Sequence, residues 1–231
     1  MTLLAFENVH SFYGKAYVLH GVSLDVKKGE RVAVIGRNGV GKTTIVNSFL
    51  GIARVRQGAI EMNGKRPRAI RHFTAAKAGI AVVPQGRRIV PGLTVRENLE
   101  LGAAVDRKGR WTMEAVFDLF PILRERMDQI GVSMSGGQQQ MLAIGRALMS
   151  NPDLVVLDEP SEGLAPVIVD ELADLCNRLA GEGVSILLIE QNFGLVHRVA
   201  ERYYVLAKGS VVEQGRMEGL TVDNLKKHLA V

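Results

Sequence analysis

Apolar residues follow two different periods along the chain, and this mixture predicts an α/β protein. The first runs, LLAFENV and AYVLHGVSLDV, alternate apolar and polar positions as half-exposed strands do. Apolar runs then predict strands of a core sheet, at RVAVIG, GIAVVP, DLVVLDE and SILLIE. Helical spacing predicts helices at TTIVNSFLGI, near 68–78, at 166–181 and at 192–202. The run YYVLAKGSVVEQG predicts a closing hairpin around Lys208-Gly209.

The segment from about 94 to 150 has a different character. Its apolar spacing is helical and β-branched runs disappear, which is expected of a helical subdomain inserted in an α/β core. A chain of 231 residues is long enough to bury one sizeable core together with a small subdomain. We therefore expect one domain over residues 1–231, with its helical subdomain at about 94–150.

The net charge of +5 raises the question of nucleic-acid binding, and the pattern of the charges argues against it. The basic residues lie in scattered pieces, at 64–72, 86–88, 107–110 and 226–228. Aromatic residues make up 5% of the chain, and no stripe of them is interleaved with these pieces to stack on bases. We expect no direct contact with nucleic acid, and a solvated face or one near anionic lipid headgroups explains the charge.

Neither secretion nor a membrane span is predicted by the pattern. The longest apolar runs are a handful of residues, whereas roughly 20 are needed to cross a bilayer. The first residues, MTLLAFENVHSFYG, lack a basic start, a long apolar stretch and a cleavage site. The lone Cys176 cannot form an internal disulfide and is expected to be a small residue on a helix in a reducing cytosol.

A glycine-rich loop supplies the first chemical motif. The stretch GRNGVGKTT fits the pattern G-x-x-x-x-G-K-[ST] and lies between a predicted strand and a predicted helix. Glycines let backbone N–H groups wrap phosphates, Lys42 neutralises the outer phosphates and Thr43 is placed to ligate Mg²⁺. The sequence thus predicts a nucleoside triphosphate site, formed by Gly36, Arg37, Asn38, Gly39, Gly41, Lys42, Thr43 and Thr44.

Two acids follow the apolar run LVVL. Ligands bind at the carboxyl ends of strands in an open parallel sheet, so Asp158 and Glu159 are expected to face the glycine-rich loop. Asp158 is the candidate for holding Mg²⁺ through its hydration shell. Glu159 is the candidate general base, or the group that orients water for attack on the γ-phosphate.

A second anion-binding nest precedes the helix of MSGGQQQMLAIGRAL. Ser135, Gly136 and Gly137 lie before the helix, although the chain already has one phosphate cradle. One nucleotide cannot need both nests in the same subunit, so the second is expected to serve the nucleotide of a partner.

The motifs, in this order and with Gln85 between them, resemble the nucleotide-binding domain of ATP-binding cassette (ABC) transporters over nearly the whole chain. The resemblance implies an α/β P-loop NTPase core with a mixed sheet, an N-terminal antiparallel β portion and an inserted helical subdomain. It also implies an ATPase that uses ATP and Mg²⁺. Such cassettes work as two-fold dimers in which each subunit completes the other's site.

Further roles are implied by the resemblance, residue by residue. Tyr13 is similar to the aromatic residue that stacks on adenine, against the alternative of a buried core tyrosine. Gln85 matches the glutamine that contacts Mg²⁺ or the attacking water, so the implied metal set is Thr43, Gln85 and, through water, Asp158. The trans signature that binds the partner's ATP is Ser135, Gly136, Gly137 and Gln138.

The end of SILLIEQN narrows the resemblance to one subgroup of ABC transporters. Most ABC domains carry a γ-phosphate-contacting histidine there, and alignment puts Gln191 in its place. A carboxamide donates to a phosphate oxygen but carries no positive charge. Together with PQGRR and DEPSEGLAP, this end resembles the ATP-binding subunits of importers for branched-chain amino acids, urea or amides.

This subgroup implies a set of partners and a location. The expected partners are a second ABC ATPase subunit, identical or paralogous, two transmembrane permease subunits and a periplasmic or extracellular solute-binding protein. The location would be peripheral, at the cytoplasmic face of the inner (plasma) membrane. The segment after Gln85, including GLTVRENLELG, is expected to form a groove for a short permease helix.

Two other functions stay open at this point. One is a soluble ABC ATPase that acts on nucleic acid or ribosomes, although a second cassette, a zinc module and a long coiled-coil insertion are all missing from the sequence. The other is a regulatory cassette that binds ATP with little turnover, which Gln191 suggests and which an intact Lys42, Asp158 and Glu159 argue against. The transported solute is not encoded in this chain, because specificity lies in the permease and the binding protein.

Overall fold

The computed structural model describes residues 1–220, so the basic piece at 226–228 lies outside the described residues. An antiparallel three-stranded sheet opens the chain, in the order β2-β1-β4. Its strands are β1 (Thr2–Tyr13), β2 (Ala16–Lys27) and β4 (Arg54–Met62). The N-terminal antiparallel portion implied by the resemblance is therefore present, and it is built from the runs whose alternating pattern predicted half-exposed strands.

The core sheet has six strands in the order β5-β6-β7-β3-β8-β9. The pairs from β5 to β8 are parallel, whereas β8 and β9 are antiparallel, so the sheet is mixed as expected. The strand bounds are β3 (Arg31–Ile35), β5 (Ile80–Val83), β6 (Leu154–Asp158), β7 (Ser185–Glu190), β8 (Arg202–Ala207) and β9 (Ser210–Arg216). The carboxyl ends of β3, β6 and β7 therefore lie side by side.

Both faces of the core sheet are buried along its central strands β3, β6 and β7, as the continuous apolar runs predict. In β3, Val32 and Val34 pack on the side of the antiparallel sheet, while Ala33 and Ile35 pack on the opposite side. Successive side chains of a strand point to opposite faces, which explains the alternation. The mixed-sheet α/β fold class expected from the sequence is confirmed.

Eight α-helices connect the strands within residues 1–220. They are α1 (Lys42–Phe49), α2 (Thr74–Lys77), α3 (Val95–Ala103), α4 (Met113–Leu119), α5 (Pro121–Glu125), α6 (Gly136–Leu148), α7 (Pro166–Gly181) and α8 (Phe193–Val199). The helices α3 to α6 fill the interval between β5 and β6. None of the helices in the described part of the chain combines the length and apolarity needed to span a membrane.

The predicted helix near 68–78 is wrong over most of its length, because α2 begins only at Thr74. The chain before it lies against the end of α1, and a Cβ atom on Gly51 would come within 2.8 Å of the Ile70 carbonyl oxygen. Arg71 N–H then donates to Thr74 Oγ1 at 2.9 Å, which closes a turn ahead of the helix. Packing of the backbone against Gly51 thus overrides the local helical spacing.

Candidate active site

The glycine-rich loop joins β3 to α1, and its glycines are required by space and backbone conformation. A Cβ atom on Gly36 would lie 2.6 Å from the carbonyl oxygen of Leu206, at the end of β8. Gly39 and Gly41 have φ values of 80° and 109°, in the region that favours glycine. Gly41 precedes α1 directly, so the loop ends on a helix N-terminus. The predicted strand, loop and helix context is present.

Lys42 lies at the centre of the loop and is buried. Its Nζ donates to the carbonyl oxygens of Gly36 at 2.8 Å and Arg37 at 2.9 Å. The same Nζ lies 2.9 Å from Glu159 Oε1, and the Glu159 side chain is buried as well. In this structure the loop therefore wraps around Lys42. Glu159, which directly follows β6, balances the charge of this lysine.

The other loop residues differ in exposure. Arg37, Asn38 and Gly39 are exposed at the tip of the loop, whereas Thr44 is buried and its N–H donates to the Gly41 carbonyl at 3.0 Å. Thr43 is half-buried and its Oγ1 donates to Asp158 Oδ1 at 3.4 Å. The structure thus brings the loop threonine and the first acid together.

Asp158 ends β6 as a buried carboxylate. Burial raises the pKa of Asp158 to about 6, with the Thr43 hydrogen bond opposing the rise and the neighbouring Glu159 charge adding to it. A cation bound beside this carboxylate would favour its charged form. The oxygen groups of Thr43, Asp158 and Gln85 are of the hard type that Mg²⁺ accepts, so the donor set fits that metal.

Glu159 adopts a left-handed backbone conformation, with φ of 48°. Its N–H donates to the carbonyl oxygen of Ile189 on the neighbouring strand β7 at 2.8 Å. Gln85, in the loop after β5, donates through Nε2 to Glu159 Oε2 at 3.2 Å and to Glu162 Oε2 at 3.0 Å. Three loops, after β3, β5 and β6, therefore meet at the Glu159 carboxylate.

Tyr13 ends β1 and is 38% exposed, so it is not a buried core tyrosine. Its hydroxyl accepts a hydrogen bond from Asn47 Nδ2 at 2.6 Å. Asn47 lies one turn after Thr43 on the helix α1, so the exposed ring stands beside the helix that the glycine-rich loop begins.

Ser135, Gly136, Gly137 and Gln138 form the start of α6. Ser135 caps the helix in a capping box, in which Gln138 N–H donates to Ser135 Oγ and Ser135 N–H donates to Gln138 Oε1. A Cβ atom on Gly137 would lie 3.1 Å from the Ile168 side chain. Among the hydrogen bonds of residues 1–220, none joins these four residues to the glycine-rich loop.

Gln191 follows β7 and is exposed, next to the carboxyl end of β3. The preceding Glu190 is buried, and its carboxylate accepts four hydrogen bonds, from Ser161 N–H and O–H and from the N–H groups of Gln191 and Asn192. Sequence reasoning missed Glu190. The sequence did contain a signal for it, because Glu190 ends the otherwise apolar run SILLIE, all of which is buried in the fold.

The glycine-rich loop follows β3, and the paired acids Asp158 and Glu159 stand at the end of β6, with β7 between the two strands. This arrangement on parallel strands defines a P-loop nucleoside triphosphatase. Residues 19–162 match the family model described as ABC transporter, and the chain belongs to this family. It is an ABC ATPase.

Similar proteins support the same family. The chain is 45% identical over 212 residues to the high-affinity branched-chain amino acid transport ATP-binding protein BraG of Pseudomonas aeruginosa, covering 91% of each. It is 34% identical over 219 residues to the probable branched-chain amino acid transport ATP-binding protein LivF of Archaeoglobus fulgidus, covering 94% of this chain and 91% of that protein. The ADP conformation of MJ1267, an ATP-binding cassette of an ABC transporter, superimposes with a TM-score of 0.81 at 29% identity, covering 94% of this chain and 91% of that one.

Proposed function

We propose that this ATPase binds Mg²⁺-ATP at the glycine-rich loop and uses its hydrolysis to power uptake of branched-chain amino acids or related small polar solutes. The observation that carries the chemistry is the meeting of Lys42, Gln85 and Glu159 in one cleft beside Asp158. The solute class is supported by the activity named for BraG and LivF. The solute itself binds the permease and a solute-binding protein, not this chain.

The loop N–H groups and Lys42 are proposed to hold the phosphates, and Tyr13 to stack on adenine. Thr43, Gln85 and, through water, Asp158 would hold Mg²⁺, which neutralises charge on the phosphate oxygens when bound. Glu159 orients the attacking water and Gln191 donates to the γ-phosphate.

The contacts of Lys42 link ATP binding to the availability of Glu159, the proposed base. Lys42 Nζ is occupied by two loop carbonyls and by Glu159 in this structure. To reach phosphate oxygens, Lys42 has to leave the Glu159 carboxylate. Nucleotide binding therefore releases Glu159 for the attacking water, so the base becomes available only when substrate is present.

A second cassette is proposed to complete the site. Within residues 1–220, the capped start of α6, including Ser135, makes no hydrogen bond to the chain's own glycine-rich loop. Its backbone N–H groups are therefore proposed to serve the nucleotide of a partner. Each site would then contain one subunit's P-loop and the other's Ser135, Gly136, Gly137 and Gln138. ATP closes such a dimer and hydrolysis reopens it.

The permease is proposed to dock beside Gln85. A surface depression that begins at Thr43 and Asp158 in the ATP site extends past Gln85 and Gly86 to Ile52, which is 56% exposed. An apolar side chain next to the loop that reaches Glu159 fits a short helix from a permease subunit. Two permease subunits, two cassettes and a solute-binding protein would form the complex, with this chain peripheral at the cytoplasmic face of the membrane.

The test is affinity purification of the tagged chain from solubilised native membranes, with mass spectrometry of its partners. The proposal predicts recovery of polytopic permease subunits and a cassette. Ile52→Asp is expected to lose the permease and to keep ATP binding, whereas Val212→Asp, at another exposed apolar position, on β9, should lose neither. Recovery of ribosomes, repair proteins or nucleic acid without a permease would contradict transport and leave only the ATP site.

A further inference from the structure

We infer that Glu190 is a positioning residue that fastens the turn after β6 to the turn after β7 and thereby places both Glu159 and Gln191. Glu190 ends β7 and is 1% exposed. Within residues 1–220 its carboxylate is hydrogen-bonded to the two turns, and its charge also acts through space on Asp158. The inference rests on the proposed roles of Glu159 and Gln191.

The four hydrogen bonds to Glu190 divide evenly between its two oxygens. Oε1 accepts from Ser161 N–H at 3.0 Å and from Ser161 O–H. Oε2 accepts from Gln191 N–H at 2.8 Å and from Asn192 N–H at 2.9 Å. One oxygen therefore holds the turn that follows Glu159, and the other holds the turn that contains Gln191.

The first of these turns is held in an unfavourable conformation. Glu159 has a φ of 48°, which a residue with a Cβ atom rarely adopts without support from its surroundings. Its N–H is fixed on one side by the Ile189 carbonyl, and Ser161, two residues on, is fixed by Glu190. Both anchors come from the end of β7. β7 therefore holds the backbone that carries the Glu159 carboxylate, while Lys42 and Gln85 hold the carboxylate itself.

An ionised glutamate suits this position because all four of its partners are donors. A carboxylate accepts through both oxygens, whereas a carboxamide has one oxygen and an NH₂ group that faces donors. Glu190→Gln can therefore accept from the N–H groups of only one of the two turns. Ser161→Ala is milder, since it removes the hydroxyl contact and keeps the backbone one.

The experiment compares Glu190→Gln, Ser161→Ala and the control Ser185→Ala in the full chain. Ser185 lies at the other end of β7, is buried, and accepts from Gly29 N–H at 2.8 Å, so its loss removes a comparable contact far from the site. Glu190→Gln is expected to lower kcat about tenfold to 100-fold and to weaken ATP binding much less, because misplacing the group that orients the attacking water lowers turnover more than it lowers binding. Ser161→Ala should show a smaller fall in kcat. Ser185→Ala should lower Tm by a similar amount and leave kcat unchanged.

Amide hydrogen exchange tests the fastening itself, independently of turnover. Glu190→Gln should speed exchange at Ser161, Gln191 and Asn192 relative to wild type. Wild-type exchange at all three amides in Glu190→Gln, or a kcat loss in Ser185→Ala equal to that in Glu190→Gln, would overturn the inference. A wild-type chain with partner cassette that hydrolyses no ATP would instead contradict the proposed function, and the exchange result would still decide the role of Glu190.

Discussion

Lys42 Nζ lies 2.9 Å from Glu159 Oε1, and both side chains are buried. Lys42, the proposed phosphate-binding cation, and Glu159, the proposed base, are thus each other's partner in this structure. Breaking a buried pair by removing one member leaves an uncompensated charge, which costs about 3–5 kcal/mol. Substrate binding and the availability of the base are linked through this contact.

Lys42→Ala is expected to abolish tight ATP binding and to lower the free energy of unfolding by about 3–5 kcal/mol, because Glu159 is left buried and unpaired. Calorimetric ATP titration and urea unfolding measure the two effects. The double variant Lys42→Ala with Glu159→Gln should regain part of the stability and none of the ATP binding. If it regains no stability, the two side chains are not energetically coupled as the structure indicates.

Glu159→Gln is expected to bind ATP at least as tightly as wild type, because its carboxamide competes less with phosphate for Lys42. Hydrolysis should fall on the order of 100-fold or more, since the proposed base is gone. Binding of a fluorescent ATP analogue and release of phosphate provide the readouts. Weaker ATP binding together with normal turnover would show that Glu159 neither competes for Lys42 nor serves the attacking water.

Asp158→Asn is expected to stabilise the nucleotide-free protein while it removes activity. Burial raises the pKa of Asp158 from 3.8 to about 6, so its contribution to stability is full below pH 4 and is lost as pH rises through 6. At pH 7.5 the variant should be more stable than wild type by on the order of 2 kcal/mol. Urea unfolding should show this difference shrinking toward pH 5. Asp128→Asn, which replaces an 84% exposed carboxylate away from the site, serves as the control and should leave the free energy of unfolding at pH 7.5 nearly unchanged.

Tyr13→Ala is expected to raise the Kd for ATP about tenfold, because stacking of a base on an aromatic ring contributes about 1–3 kcal/mol. Tyr13→Phe keeps the ring and loses only the hydrogen bond from Asn47, so it should bind nearly as wild type. The matched control is Tyr17→Ala, an equally exposed tyrosine on the same hairpin. Equal losses from Tyr13→Ala and Tyr17→Ala would assign the effect to the hairpin and not to adenine stacking.

Arg146→Lys is expected to loosen the loop after β5. Gly86, Arg87 and Arg88 have consecutive φ values of 74°, 63° and 50°, and the Arg146 guanidinium donates to the carbonyl oxygens of Arg87 and Arg88 at 2.9 Å each. Lysine has no planar fork to make both contacts. Trypsin should cut after residues 87 and 88 faster in this variant, as read by mass spectrometry, whereas the exposed Arg178→Lys should leave the cutting rate unchanged.

Contiguous motifs made much of this site predictable from the sequence. The strand, loop and helix around Lys42, the acids Asp158 and Glu159, and α7 over Pro166–Gly181 all follow from local patterns of apolar residues and glycines. Each depends on residues close together in the chain, so no tertiary information is needed.

Features that arise from contact between distant segments were not predictable. Glu190 receives donors from Ser161, 29 residues earlier, which no periodicity reveals. The Gly86–Arg88 loop takes its shape from Arg146, on the helix α6, and two of its three left-handed residues are arginines. The segment before α2 is bent by packing against Gly51, although its spacing favours a helix.

The central claim, that one cassette's P-loop works with another's Ser135, is tested most directly by mixing two variants. In a dimer of Lys42→Ala both P-loops are disabled. In a dimer of Ser135→Arg both copies of the anion-binding start of α6 are disabled. Each variant alone should therefore hydrolyse no ATP. A mixed dimer contains one site with both parts intact, and phosphate release should reappear on mixing. Full turnover by Ser135→Arg alone, or a mixture as inactive as its components under conditions where wild type is active, would contradict the shared site.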